Sequence, residues 1–228
     1  MNSHSSLRAK KITIRFSEVD REPLEIVAAN VREAVEKAVV DGTRLHSAIL
    51  NGADLRGATL FGAMFCMVHL QGALLECTDL RHADLRGARF TGADLSQTDL
   101  RNAILEDAYL DKTELSPRWL EGAYLYGAHL ENAMHKGAPL WSRRPVLQLG
   151  PCGRRGRQTV VFFFENSAEP VVQCGCFYGT LTEFQKKVTE THKGSFYGQE
   201  YMAVVNHIKE LYNVQLSLKG KDENIRQL

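Results

Sequence analysis

From position 41 to position 140 the chain carries a large apolar residue at every fifth position, through 20 consecutive five-residue units without an insertion. The fifth position is Leu in 17 units and Phe in two, Phe65 and Phe90, with His135 as the exception. The third position is small, Ala in 14 units and Thr in four, with Val68 and Arg118 as exceptions. Any fold for this stretch has to bury one large and one small residue from almost every unit.

A period of five matches neither the 3.6-residue turn of an α-helix nor the heptad of a coiled coil. In an extended chain, residues two apart share a face, so the third and fifth positions point the same way. Strict alternation would carry the next large residue to the opposite face, so the chain has to turn between units. Gly at the second position of many units (Gly52, Gly57, Gly62, Gly72, Gly92, Gly122) suits such turns. The first, second and fourth positions then face outward. Leu55, Phe65, Leu85, Phe90, Leu105 and Leu125 are read as the structural core, each buried side chain contributing about 1.5–3 kcal/mol. Thr78 and Thr98 fit the small position because a hydroxyl can bond local backbone.

The units Ala53-Asp54-Leu55, Ala83-Asp84-Leu85 and Ala93-Asp94-Leu95 match the pattern A(D/N)LxX. With them, the whole of 41–140 resembles the pentapeptide-repeat family. The resemblance implies a mainly β fold, a right-handed quadrilateral parallel β-helix with four units per coil and therefore about five coils. At about 4.8 Å between strands the stack would stand roughly 24 Å tall. It also implies a non-catalytic protein-binding role. Some pentapeptide proteins bind DNA gyrase, a type II topoisomerase, a few of them by imitating duplex DNA with a strongly acidic rod. Here the outward Asp54, Asp79, Asp84, Asp94 and Asp99 are interleaved with Arg56, Arg81, Arg86, Arg89 and Arg101, which weakens the mimic reading.

A stack of coils has two open edges that invite aggregation unless covered. Residues 12–16 alternate as a short strand, with 24–28 as a hairpin partner. Asn30 reads as the N-cap, with Glu33 as capping-box partner, of a helix over 31–40 that ends at Gly42. This helix is expected to plug the N-terminal end. Residues 141–218 read as a small α+β domain: strands at 146–149, 159–165 and 171–177, a helix from the Thr180/Glu183 capping box to about 192, and another over 197–212. The domain plan is therefore a disordered lead-in (1–10), an N-terminal cap (11–40), the repeats (41–140), the α+β domain (141–218) and a disordered polar tail (219–228). Segments 147–151, 175–177, 179–184 and 191–192 resemble a C-terminal module of some phage and bacterial pentapeptide proteins, which adds context and no mechanism.

A net charge of +1 argues against a uniformly acidic or basic surface. No run approaches 18 apolar residues, so no membrane span is expected, and the polar start lacks the apolar core of a secretory signal. Five cysteines, an odd number, do not form a disulfide framework. The expected setting is the cytoplasm of a bacterial cell, with the chain encoded by the bacterium or a phage.

Three sets of residues are candidates for function. Cys152, Cys174, Cys176 and His192 can in principle bind zinc, but the two well-spaced ligand pairs of a structural site are absent. Cys174 and Cys176 would share one face of a strand, and a Cys176–His192 nucleophile pair needs hydrogen-bond reach. No metal, cofactor or catalytic residue is assigned, and the chain is not read as an enzyme. The second set is Arg143, Arg144, Arg154, Arg155 and Arg157, which with nearby glycines can grip phosphate or an acidic surface. Residues 141–228 hold 12 basic and 8 acidic side chains, against 9 and 13 in 41–140. The third set is outward and apolar: Phe61, Met64, Cys66 and Met67 on the second coil, then Tyr109, Trp119, Tyr124, Tyr126 and Trp141. Aromatics of this kind anchor partner or homodimer interfaces.

The function read from this is a binding module that modulates a host protein such as DNA gyrase. The alternatives are a phage-encoded binder of a host defence or replication factor, and nucleic-acid contact through the arginine-rich loop 143–157. The unit Ser116-Pro117-Arg118-Trp119-Leu120 is read as an irregular corner, and His135 as part of a fraying terminal coil.

Overall fold

Residues twenty apart pair in parallel. Bridges join Ile49 to His69, His69 to Arg89, Arg89 to Tyr109 and Tyr109 to His129, and further columns run through Asp54, Thr59 and Met64 in the same register. The structure, a computed structural model, describes residues 9–141, 145–152, 157–165 and 169–225. The chain divides into two compact units, Met1–Ser142 and Arg143–Leu228.

Within the repeats, backbone groups alternate between turning the chain and tying one row to the next. The third-position N–H of Ala58 donates to Leu55 O at 3.0 Å and closes a turn. Leu55 N and Gly57 N donate forward to Leu74 O and Glu76 O, both at 2.9 Å, while Leu74 N donates back to Ala53 O. The second residue of the turn needs positive φ, as at Gly72 (65°). Nine non-glycine residues adopt the same conformation, among them Met67 and Cys77. Left-handed backbone costs about 1–2 kcal/mol for such a residue and persists because the rows on either side hold it. The repeats therefore form a β-helical stack of short parallel bridges.

Leu55, Phe65, Leu85, Phe90 and Leu105 are fully buried in this stack. Leu125, assigned to the core from its register, is only half-buried. The row twenty residues beyond it would fall outside the repeats, so it lacks the covering neighbour that the others have. The threonines also differ from expectation. Thr78 and Thr98 donate to Leu55 O (2.8 Å) and Leu75 O (2.9 Å), carbonyls of the preceding row; only Thr113 bonds locally, to Leu110 O.

At the first row, donors with no repeat beneath them are satisfied by the N-terminal segment. Strands β1 (Lys10–Ile14) and β2 (Leu24–Ala28) form an antiparallel hairpin. The chain beyond β1 continues into the stack, where Phe16 bridges Ala48 and Ile49 N donates to Arg15 O at 2.8 Å. Helix α1 (Val31–Val40) starts at Asn30, whose side chain accepts from Glu33 N. Glu33 itself reaches Ala29 N, one residue before the cap. Gly42 N bonds Val39 O and Thr43 N bonds Ala38 O, the paired bonds of a left-handed helix stop. Glu36 of α1 accepts the N–H of Thr59 at 2.8 Å, and Arg32 donates to Arg56 O.

The other end closes differently from a fraying coil. The last unit folds back: β3 (Met134–His135) and β4 (Ala138–Pro139) form a tight hairpin, and Leu140 N returns to Ala133 O. His135 is 5% exposed with Nδ1 2.6 Å from Leu115 O. Trp141, read as outward, is buried. In the irregular unit, Pro117–Trp119 is a 3-10 turn: Trp119 N donates to Ser116 O, and Asp99 and Trp119 form no bridge among the described residues. Leu120 still reaches the core, so the unit keeps its length while its corner tightens.

The second unit is a four-stranded antiparallel meander, β5 (Val146–Cys152), β6 (Arg157–Phe162), β7 (Val171–Cys174) and β8 (Phe177–Thr180), followed by α2 (Leu181–His192) and α3 (Phe196–Ile225). Three strands were expected. Gly175, with φ 57°, breaks the predicted third strand into a hairpin, so β7 and β8 replace it. Thr180 and Glu183 close the capping box of α2 reciprocally. Helix α3 runs on to Ile225, into the 219–228 segment expected to be disordered, because extending a formed helix adds one hydrogen bond per residue fixed; residues 226–228 lie outside the described residues. Phe184 packs on Phe177 and Tyr201, and Phe163 on Tyr212. No described helix is long and apolar enough to cross a membrane.

Candidate interaction surface

The outward charges of the repeats are tied to one another. In four units an Asp at the fourth position clamps the Arg two residues on. Arg56 donates Nε and Nη2 to the two oxygens of Asp54, at 2.9 and 2.7 Å, and its backbone N–H also bonds Oδ1. The same fork joins Arg81 to Asp79, Arg86 to Asp84 and Arg101 to Asp99. The Arg56 hydrogen bonds hold Asp54 at about 2, and those of Arg81 and Arg86 lower Asp79 and Asp84. Asp94 has Ser96 in place of an Arg and accepts only its backbone N–H. The spacing Asp-x-Arg was visible in the sequence, but its interleaved signs were read as a mixture and not as pairs.

Columns of outward side chains also stack. Arg89, Tyr109 and His129 follow one another: the Arg89 guanidinium lies 5.6 Å from the Tyr109 ring, and the Tyr109 and His129 rings stack at 4.5 Å, 5° from parallel. At a neighbouring corner Arg81 lies over Phe61, while Arg101 and Arg118 both approach Trp119. Trp119 is half-buried.

One face mixes exposed apolar side chains with a charged pair. The register aligns Met64, Asp84, Ile104 and Tyr124 in a column, with Phe61, Met67 and Tyr126 at its corners. Tyr124 is 60% exposed and Tyr126 85%, and Phe61, Met64 and Met67 are exposed as well. Tyr109, on the next face, is exposed too. The candidate aromatics thus fall on two adjoining faces. Another face carries an open groove of about 450 Å3 lined by Leu74, Glu76, Asp94 and Gln97.

Arg143, Arg144, Arg154 and Arg155 lie outside the described residues; Arg157 begins β6, and its side chain is likewise not described. The cysteine set is dispersed. Cys176 sits exposed in the β7–β8 turn, so it does not share a face with the buried Cys174. His192 packs on Tyr201 and shares no hydrogen bond with Cys176. Cys152 and Cys174 do meet: their Sγ atoms are 3.8 Å apart, each 3.2 Å from Thr159 Oγ1. Hydrogen bonds from Cys174 and Thr159 lower the Cys152 thiol to about 7 against the opposing effect of burial. Among the described residues, no group of three or more His, Cys, Asp or Glu could hold a metal ion.

These features define a β-helical repeat protein with non-repeat segments at both ends. A profile of the pentapeptide repeats, eight copies long, matches residues 41–76, 68–102 and 78–116, and the chain belongs to this family. The match stops at the irregular unit. Among solved structures, a pentapeptide repeat protein from the Arabidopsis thaliana thylakoid lumen is 35% identical over 42% of this chain and 63% of its own, with a TM-score of 0.31. One from Nostoc Pcc 7120 is 31% identical over 45% of this chain and 78% of its own (TM-score 0.22). One from Cyanothece 51142 is 32% identical over 39% and 61% (TM-score 0.21). The chain thus spans less than two thirds of the Arabidopsis and Cyanothece proteins. No curated protein matches the chain. Pentapeptide repeat proteins are generally non-catalytic structural or binding modules.

Proposed function

We propose that the chain is a non-catalytic protein-binding module, whose repeats wind as a right-handed, four-sided β-helix of five coils and present exposed aromatic and methionine side chains to a partner. One observation carries this reading: along one column of the stack Phe61, Met64 and Met67 are exposed at one end and Tyr124 and Tyr126 at the other, with Asp84 and Ile104 between them. Exposed aromatic and Met side chains are the residue types enriched in interface cores. The register of twenty supports the four-sided coil, because four turns separate successive rows. Charge supports direct protein contact over imitation of duplex DNA, since four of the outward Asp are neutralised by their own Arg.

In a bacterial cytoplasm the first target to test is DNA gyrase. Full-length protein is added to supercoiling and quinolone-cleavage assays beside a Tyr124→Ala/Tyr126→Ala variant. A modulator changes one of these activities at micromolar concentration and loses the effect in the variant. Unchanged gyrase removes that target and turns the search to other host proteins. If size-exclusion chromatography shows a dimer that the same variant dissociates, the face serves self-association instead.

A further inference from the structure

We propose that Cys152 and Cys174 form a two-coordinate thiolate site for a soft monovalent ion, Cu(I), inside the C-terminal unit. The two thiols are buried, 4% and 7% exposed, and neither is in a disulfide. Their sulfurs are 3.8 Å apart at the ends of β5 and β7. Thr159 of β6 stands between them, its hydroxyl 3.2 Å from each.

β6, which carries Thr159, lies between β5 and β7. At 3.8 Å the two sulfurs are well beyond the roughly 2.0 Å of a disulfide bond, and the pair is present as two thiols. An ion adds two metal–sulfur bonds of about 2.3 Å to the span. Two sulfurs 3.8 Å apart reach a common ion by small side-chain rotations.

Ligand chemistry selects the ion. Structural zinc takes four ligands, and no third His, Cys, Asp or Glu completes a group here among the described residues. Calcium and magnesium require oxygen ligands. Soft thiolates select Cu(I), and that ion accepts two of them. On binding, both thiol protons leave to solvent and two S–Cu bonds form. No electron is transferred, and the Thr159 hydroxyl turns to donate to a thiolate sulfur.

The test uses full-length protein carrying Cys66→Ser, Cys77→Ser and Cys176→Ser, so that only the proposed pair remains. Reduced protein is titrated with Cu(I) without oxygen, in competition with bicinchoninate. One equivalent is expected to bind, and a further Cys152→Ser or Cys174→Ser change should weaken it at least tenfold. Circular dichroism checks that each variant is folded. X-ray absorption of the copper-loaded triple variant should show two sulfur neighbours, a readout that does not depend on the last substitutions folding. Failure to retain Cu(I), equal retention without Cys152 or Cys174, or a copper shell containing nitrogen or oxygen overturns the proposal.

Discussion

Arg81 grips both carboxylate oxygens of Asp79, with Nε and Nη2 at 2.8 and 2.7 Å, and its Nε also lies 3.7 Å from Asp99 in the next row. The pair therefore works along the chain and across the stack. Repeated at Asp54, Asp84 and Asp99, it pairs four outward carboxylates with their own guanidinium groups. It also leaves the exposed aromatic and methionine side chains as the distinctive outward feature.

The two partners of this pair are not equivalent. Asp79 accepts the Arg81 backbone N–H in addition to the fork, so it also holds the corner. Arg81→Ala should lower stability only slightly, as for other solvent-screened pairs. Asp79→Ala should cost more, about 1–2 kcal/mol, because a turn hydrogen bond is lost as well. Urea unfolding followed by circular dichroism measures both. Equal losses would mean that the turn bond contributes nothing.

Glycines at the same place in the unit differ in what surrounds them. A Cβ on Gly52 would meet nothing within 4 Å, whereas one on Gly122 would lie 2.1 Å from Asn102 Oδ1. Both have positive φ, 66° and 75°. Gly52→Ala should therefore cost about 1–2 kcal/mol from backbone strain alone. Gly122→Ala should cost more, and Asn102→Ala should recover the excess. A double-mutant cycle for Asn102 and Gly122 tests this; zero coupling energy would remove the steric argument.

The period of five made the repeat core legible, since Leu55, Phe65 and Leu85 need only their register to be placed. The caps were legible as far as they are local: Asn30, Gly42 and the Thr180/Glu183 pair signal through neighbours three or four residues away. What escaped was non-local or geometric. Leu125 obeys the pattern yet lacks a covering row, which no property of its own unit reveals. His135 breaks the pattern but is buried because the next unit folds back over Lys136 and Gly137. Cys152 and Cys174 are 22 residues apart and meet only through strand order. Cys176, two residues from Cys174, is separated from it by the positive φ of Gly175.

Thr98 tests how rows are joined through the small position. Its hydroxyl donates to Leu75 O at 2.9 Å in a fully buried setting. Thr98→Val keeps the shape and deletes that donor, so about 0.5–1.5 kcal/mol should be lost. Ala88→Leu, at an equally buried small position, should cost about 1–3 kcal/mol by overpacking. If thermal unfolding leaves the Val variant as stable as the parent, the row-to-row hydroxyl bond is dispensable.

His135 should make the end of the stack sensitive to acid. Burial pushes its pKa below the usual 6.5, opposed by the bond to Leu115 O, with Lys136 adding to the depression and Glu114 reducing it. The unfolded chain therefore takes up the proton first. As pH falls below about 6.5, stability is lost progressively until the lower folded pKa is reached, after which this contribution is constant. Leu fills the same position in 17 other units, so His135→Leu removes the titration with a residue that suits the site. The melting temperature of the parent should fall relative to that of His135→Leu between pH 7.5 and 5. Comparing the two proteins cancels the contributions of the other histidines, including His69, whose pKa burial also lowers. A difference between the two melting temperatures that stays constant over this range would show that His135 is not the sensitive group.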